Sequence, residues 1–139
     1  MKKIILASIV ILLSLLTNFV QAQEKHEDHI NYVVLTRNVP QLKPILLAAE
    51  ELAVQDGENF GDFQVIICGK AVQDLTDNVI MTDFLEKAKK TGVIINACGF
   101  SLKKFNVDRT KIPAGVQIVE NGILYNFELQ KKAYLSIEL

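Results

Sequence analysis

The stretch that decides the fold is GVIINACGFSL, from Gly92 to Leu102. Its apolar part, Val93–Ala97, begins after a glycine and ends at Cys98-Gly99. A short, uninterrupted apolar run that is rich in β-branched residues and bounded by turn residues is typical of a strand buried on both faces. Strands of that kind occur in parallel sheets that helices cover on both sides. The stretch therefore predicts a central strand of an α/β domain.

The segment before this strand has the spacing of an amphipathic helix. Asn78 is suited to cap a helix that runs to Thr91, and Gly92 is suited to close it. The predicted buried face of this helix consists of Ile80, Phe84, Leu85 and Ala88. Residues at this three- and four-residue spacing lie on one side of a helix. The sequence therefore predicts a helix–strand–turn unit.

Strand and helix patterns alternate along the rest of the chain. The predicted strands are 30–35, 63–68, 93–97, 116–119 and 134–138, and the predicted helices are 44–56, 78–91, 101–105 and 122–132. The first helix is placed from Pro44 because proline is tolerated only in the first turn. This order predicts one α/β domain over residues 30–139, a three-layer α/β/α fold with a five-stranded parallel sheet. The polar residues 23–29 are predicted to form a flexible segment before it.

Residues 1–22 have the order of a secretory signal peptide. Lys2 and Lys3 supply a positive start, residues 4–16 are almost wholly apolar, and Val20-Gln21-Ala22 suits cleavage after the alanine. We therefore expect a periplasmic or secreted protein with no membrane segment after cleavage. The alternative is an uncleaved anchor, because the apolar stretch can be extended to about the length that spans a bilayer. A lipoprotein is disfavoured because no cysteine stands at the cleavage position.

The composition of the remaining chain disfavours nucleic acid as a partner. Removal of residues 1–22 leaves 117 of the 139 residues. Without Lys2 and Lys3, 13 of the 15 basic residues remain beside 16 acidic ones, so the net charge of this part of the chain is −3. A nucleic-acid-binding domain usually carries a basic face. The basic pairs here are scattered, as on solvated surfaces: Lys89-Lys90, Lys103-Lys104 and Lys131-Lys132. A domain of this length forms a core without needing disulfides or a metal.

Two cysteines that end apolar strands are the candidate catalytic residues. Sites in open parallel sheets form beyond the carboxyl ends of the strands, where Cys68 and Cys98 are both expected. Cys98 also precedes a predicted helix, whose dipole lowers a thiol pKa and favours the reactive thiolate. The alternative for each cysteine is an inert, buried, small apolar residue. A disulfide needs Cα atoms within about 7 Å, and the sequence leaves open whether the two strands are neighbours.

No other motif points to a cofactor or a metal. His26 and His29 have His-x-x-His spacing with acidic neighbours, but they lie in the predicted flexible segment, without a third ligand from a rigid element. A solvated segment is the simpler interpretation. The chain has no Walker loop, GxGxxG, HExxH or nucleophile elbow. A Ser-His-Asp site is disfavoured because neither histidine belongs to the predicted domain, and we expect no cofactor and no metal site.

Four stretches together resemble the DsrE/DsrF-like family. GVIINACGFSL at 92–102 resembles its GV…ACG.SL signature, and PAGVQIVENG at 113–122 resembles its PGV.VV..G run. CGKAV at 68–72 is similar to its HG.AV turn, and the end of the chain, 129–137, is similar to its closing LQ..GY.YI. The resemblance implies a DsrE/YchN-like fold and a homo- or hetero-oligomer, often a trimer or hexamer. It also implies sulfur carried as a persulfide on the cysteine that matches Cys98.

Two departures from that family shape the functional expectation. Its sulfur-relay members work in the cytoplasm, whereas this chain is predicted to be exported, so their partners are not expected here. Cys68 stands where the family usually has histidine, which suggests a dithiol in place of a His-dependent step. We expect an exported homo-oligomeric sulfur carrier, sulfurtransferase-like at most, with a sulfur donor or acceptor protein as partner. The alternatives are a non-catalytic oligomeric binding module with this fold and a thiol redox protein that uses Cys68 and Cys98.

Overall fold

The structure, a computed structural model, describes residues 29–139. Its strands are β1 (Ile30–Thr36), β2 (Phe60–Ile67), β3 (Ile94–Cys98), β4 (Val116–Val119) and β5 (Leu135–Glu138). Its helices are α1 (Leu42–Asp56), α2 (Asn78–Thr91), α3 (Gly99–Lys104) and α4 (Gly122–Lys131), and a 3-10 segment, Gly69–Thr76, follows β2. The predicted signal peptide and residues 23–28 of the predicted flexible segment lie outside the described residues.

All five strands are parallel, in the order β4-β3-β2-β1-β5, with helices on both faces of the sheet. This confirms the predicted α/β fold with its five-stranded parallel sheet. The chain moves one way from β1 to β4 and then returns to place β5 on the other side of β1. Because parallel crossovers are right-handed, a reversal of direction moves the connecting helix to the opposite face. Helices α1 and α2 therefore pack together, while α4 lies across the other face of the sheet.

The two faces carry cores of unequal size. The face covered by α1 and α2, which we call the broad face, holds most of the buried apolar side chains, including Leu42, Leu46, Val65, Ile95 and Leu102. The face covered by α4, which we call the narrow face, holds Val33, Leu35, Ile66, Cys68, Cys98 and Leu129, with Tyr125 and Tyr134 packed against them. Both cysteines therefore lie on the narrow face.

Two details of α2 differ from the prediction. Its N-cap is Asp77 and not Asn78: the Asp77 Oδ1 atom accepts hydrogen bonds from the N–H groups of Val79 (2.9 Å) and Ile80 (3.2 Å). A cap residue needs extended backbone, which Asp77 has at φ −80° and ψ 98°. The side chain of Ile80 is 45% exposed, and Met81, fully buried, takes the place that we predicted for it.

The other predicted features of α2 are confirmed. Ala88 is buried, and Phe84 and Leu85 are half-buried against the core of the broad face. Gly92 closes the helix in the left-handed conformation, at φ 74°. The face that packs is therefore rotated by one residue towards Met81, which the helical spacing also allows because Met81, Leu85 and Ala88 recur at four and three residues.

Element boundaries shift by a few residues. Helix α1 starts at Leu42, two residues before Pro44, so the proline still lies in its first turn. Strand β2 starts three residues earlier than predicted, at Phe60. Strand β3 includes Cys98, and α3 follows it directly. Over residues 29–139, no helix is both long enough and apolar enough to cross a membrane.

Candidate thiol site

The two cysteines lie side by side where β2 and β3 end. Ile67 pairs with Ala97 in the parallel register, so Cys68 and Cys98 occupy the next matching positions. Their side chains share the narrow face and are in hydrogen-bond contact with each other. Both cysteines are free thiols. The structure thus answers the question that the sequence left open, because the two strands are neighbours and the thiols meet.

The strand ends are tied together around this pair. The Cys68 N–H donates a hydrogen bond of 3.0 Å to the carbonyl of Thr36, at the end of β1. On the other side, the Phe100 N–H donates one of 2.9 Å to the carbonyl of Glu120, just after β4. The carboxyl ends of four strands are therefore held at one edge, as expected for a site in an open parallel sheet.

The sulfur of Cys98 lies at the N-terminus of α4. The N–H of Gly122, the first residue of that helix, donates to the Cys98 Sγ atom at 3.3 Å. Asn121 caps the helix as predicted, its Oδ1 atom accepting from the N–H groups of Ile123 (3.1 Å) and Leu124 (3.2 Å). The first N–H groups of a helix and its dipole both favour a negative charge. The N-terminus of α3, the six-residue helix that follows Cys98, contributes as expected, because the backbone N–H of Ser101 also lowers the pKa of Cys98, and α4 adds a second helix N-terminus, whose place beside Cys98 the sequence did not predict.

Ser101 supplies a second hydrogen bond to the same sulfur. Its Oγ atom accepts from the N–H of Gly69 at 2.9 Å, which leaves the hydroxyl proton to be donated to the Cys98 Sγ atom. Burial raises the pKa of Cys98, but the hydrogen bonds from the Ser101 hydroxyl, from the N–H groups of Gly122 and Ser101, and from the Cys68 thiol outweigh burial and hold that pKa below its ordinary value. Hydrogen-bond donors, and not Lys103 or Lys104, are thus the main cause of the lowered pKa.

Cys68 has the opposite character. Burial, followed by the negative charge of Cys98 and the hydrogen bond to it, raises the pKa of Cys68 to about 12, although Arg37 opposes the shift. Cys68 therefore stays protonated near neutral pH and donates its hydrogen bond to the sulfur of Cys98. When Cys98 ionises, the pair becomes one thiolate beside one thiol, since two like charges in contact would disfavour each other.

Gly122 is required where α4 meets the thiols. A Cβ atom at this position would lie 2.6 Å from the Cys68 Sγ atom, 2.8 Å from Ile66 Cγ2 and 3.1 Å from Cys98 Cβ. No carbon atom fits at the first two distances, so only glycine allows the first turn of α4 to close over both cysteines. Sequence analysis missed the roles of Gly122 and Ser101, although both lie in the stretches that carry the family resemblance.

Access to the pair is narrow. Cys98 is 4% exposed and Cys68 is 5% exposed. Arg37 and Glu138 form a half-exposed ion pair beside Cys68. A cavity of about 430 Å³ is lined by Gly99, next to Cys98 along the chain, and by Phe100, Lys103, Val107, Arg109 and Glu120, but by neither cysteine. Both sulfurs are therefore almost wholly covered by the protein.

A row of polar side chains runs along the narrow face behind the thiols. The Tyr134 hydroxyl donates to Asp62 Oδ2 at 2.6 Å, the Gln64 amide donates to the same oxygen at 2.5 Å, and Asn96 Nδ2 donates to Gln64 Oε1 at 2.7 Å. Asn96 is fully buried two residues before Cys98, and its Oδ1 atom has no partner among the described residues. The row ties β2 to β3 and so holds the two strands that carry the cysteines in register.

The structure describes one of the two histidines. His29 lies at the start of the described residues, before β1, and His26 lies outside them. Within residues 29–139, no group of three or more His, Cys, Asp and Glu side chains is placed to hold a metal ion.

Comparisons with known proteins support the fold of this chain but give no information about the chemistry of the site. No family model matches the chain, and no curated protein matches it significantly. The chain is similar to the structure of MTH1491, a protein of unknown function from Methanobacterium thermoautotrophicum, with a TM-score of 0.65 and 17% identity over 81% of this chain and 100% of that chain. It is also similar to BT1422, a conserved protein of unknown function from Bacteroides thetaiotaomicron, with a TM-score of 0.57 and 14% identity over 78% and 95% of the two chains. At these identities the likeness shows a shared α/β fold.

Proposed function

We propose that this protein accepts sulfane sulfur on Cys98 and carries it as a persulfide. The observation that carries the proposal is the convergence of four hydrogen-bond donors on one sulfur: the Ser101 hydroxyl, the N–H groups of Gly122 and Ser101, and the Cys68 thiol. The thiolate is the form of cysteine that attacks a sulfur–sulfur bond, so stabilising it raises the rate of sulfur uptake. This is the function that the resemblance to the DsrE/DsrF-like family also implies.

The uptake step is a thiol exchange. The Cys98 thiolate attacks the outer sulfur of a persulfide, a new S–S bond forms, and the donor leaves as a thiolate that takes up a proton. The same four donors then face the sulfur-bearing side chain. Because Cys98 is 4% exposed, the donor is a low-molecular-weight persulfide or polysulfide, or a protein that presents its sulfur on a narrow tip. Burial also protects the carried sulfur from thiols in solution.

The setting of this activity follows from the N-terminal sequence. Residues 1–22 have the order of a secretory signal, so the proposed compartment is the periplasm or the exterior. The sulfur donor and acceptor would then be exported molecules, and not the cytoplasmic partners of the sulfur-relay proteins. We further propose that the carrier is a homo-oligomer, as the family resemblance implies.

The test is the intact mass of the purified protein after exposure to glutathione persulfide. We use the Cys68→Ser variant, which leaves Cys98 as the only thiol, and Cys98→Ser as its matched control. Cys68→Ser is expected to gain about 32 Da, the mass of one sulfur atom, and Cys98→Ser to gain none. If neither folded variant takes up sulfur, sulfur transfer is excluded and a non-catalytic binding module with this fold becomes the better proposal.

A further inference from the structure

The second thiol, Cys68, lies where it can react with sulfur that is carried on Cys98. We propose that Cys68 is a resolving thiol, which attacks the Cys98 persulfide, releases its outer sulfur as hydrogen sulfide and leaves a Cys68–Cys98 disulfide. This inference rests on the proposed function, because the attack needs a persulfide on Cys98. It adds an activity, persulfide reduction, to sulfur carriage.

The register of the sheet places the two sulfurs for this step. Neighbouring strands lie about 4.8 Å apart, and a disulfide joins Cα atoms that are about 4.4–6.8 Å apart. Cys68 and Cys98 occupy matching positions of adjacent strands, and their thiols are already in contact on one face. Forming the bond therefore needs a side-chain rotation and no movement of either strand. The Asn96–Gln64 hydrogen bond, which links the same strands at 2.7 Å, keeps this register.

The step balances without a further reactant. The Cys68 sulfur gives up its proton and attacks the Cys98 Sγ atom, a bond forms between the two Sγ atoms, and the bond from Cys98 to the outer sulfur breaks. The outer sulfur leaves with the electron pair and takes up the proton, so that one thiol and one persulfide become one disulfide and one hydrogen sulfide. The sulfane sulfur is reduced by two electrons, and the cysteine pair is oxidised by two.

The interaction between the two thiols sets the order of sulfur uptake by Cys98 and attack by Cys68. Burial holds Cys68 in its protonated form, and while Cys98 is a thiolate its charge and the hydrogen bond between the two thiols add to this restraint. Once Cys98 carries sulfur, the negative charge moves from the Sγ atom to the outer sulfur, and this restraint on Cys68 weakens. Uptake by Cys98 therefore comes first. A further turnover requires an exported dithiol reductant that reopens the disulfide by thiol exchange.

The experiment compares the parent, Cys68→Ser and Cys98→Ser after one equivalent of glutathione persulfide, without reductant. We expect the parent to release about one equivalent of sulfide and to lose about 2 Da, the mass of two hydrogens. Cys68→Ser should retain about 32 Da of added mass and release at least about tenfold less sulfide, and Cys98→Ser should do neither. Cys68→Ala is a second variant in case serine disturbs folding, with circular dichroism as the check.

The outcomes separate the two proposals. If the parent keeps the added sulfur on Cys98, with no disulfide and no sulfide release beyond that of Cys68→Ser, the resolving role of Cys68 is wrong and the carrier proposal stands. If the parent and Cys68→Ser both stay unmodified while folded, the carrier proposal is wrong, and the resolving role is wrong with it.

Discussion

The two faces of the sheet are built differently. The broad face is covered by two helices of 15 and 14 residues and contains the larger apolar core. The narrow face is covered by one helix of 10 residues and contains both thiols and the row from Tyr134 to Asn96. Apolar burial is the dominant favourable contribution to folding. The broad face therefore supplies most of the stability of the fold, which leaves the narrow face free to hold polar groups and thiols.

The largest expected effect is on stability, from truncation on the broad face. Leu46 of α1 is 1% exposed, so Leu46→Ala should lower the free energy of unfolding by about 2–5 kcal/mol, from lost burial and the cavity that remains. Chemical denaturation measures it. The control is Leu124→Ala on α4, where a 53% exposed side chain should change stability by less than about 0.5 kcal/mol. Equal losses in the two variants would mean that the faces do not differ as described.

The next effect combines stability with reactivity. Gly122→Ala places a Cβ atom 2.6 Å from the Cys68 sulfur, so α4 must shift away from the thiols. We expect a loss of about 1–3 kcal/mol, the usual cost of overpacking, together with slower alkylation of Cys98 at neutral pH. The matched control on the same helix is Ile123→Ala, whose side chain is 53% exposed. Unchanged Cys98 reactivity in a measurably destabilised Gly122→Ala would show that α4 does not activate the thiol.

The smallest effect isolates a single hydrogen bond. Ser101→Ala removes the hydroxyl that donates to Cys98, so the pKa of Cys98 should rise and its alkylation at pH 7 should slow by about fivefold, the equivalent of about 1 kcal/mol. Ser136→Ala is the control, because that serine donates to Asn126 at 3.0 Å, away from the thiols. If both variants react like the parent, the hydroxyl of Ser101 does not stabilise the thiolate.

The fold could be predicted from local patterns, whereas the site depended on long-range geometry. Short runs rich in β-branched and other apolar residues located all five strands, and Asn121 was identified as the cap of α4 because capping is a local interaction. The cap of α2 was missed by one residue, since both Asp77 and Asn78 can cap and only the backbone conformation selects one. Local signals thus fix elements to within a few residues.

The contacts of Cys98 could not be predicted in the same way. The sequence placed a helix after Cys98, and the Ser101 N–H of that helix does act on the sulfur, but a second N–H belongs to Gly122, 24 residues further along the chain. Likewise, whether Cys68 meets Cys98 depends on the strand order β3-β2, which periodicity does not encode. Ser101 had a weaker signal, because it lies three residues after Cys98 at the start of a helix, within reach of the thiol.

The most direct measurement is the pH dependence of alkylation at each cysteine of the parent protein, resolved by peptide mass spectrometry with iodoacetamide between pH 5 and pH 10. Alkylation follows the thiolate, so its rate rises with pH and levels off above the pKa of the reacting thiol. The lowered pKa of Cys98 predicts a plateau that begins at a lower pH than for a free cysteine. Cys68, with a pKa of about 12, should remain almost unmodified throughout. A Cys98 profile at or above that of free cysteine, or modification of Cys68 at a similar rate, would contradict the account.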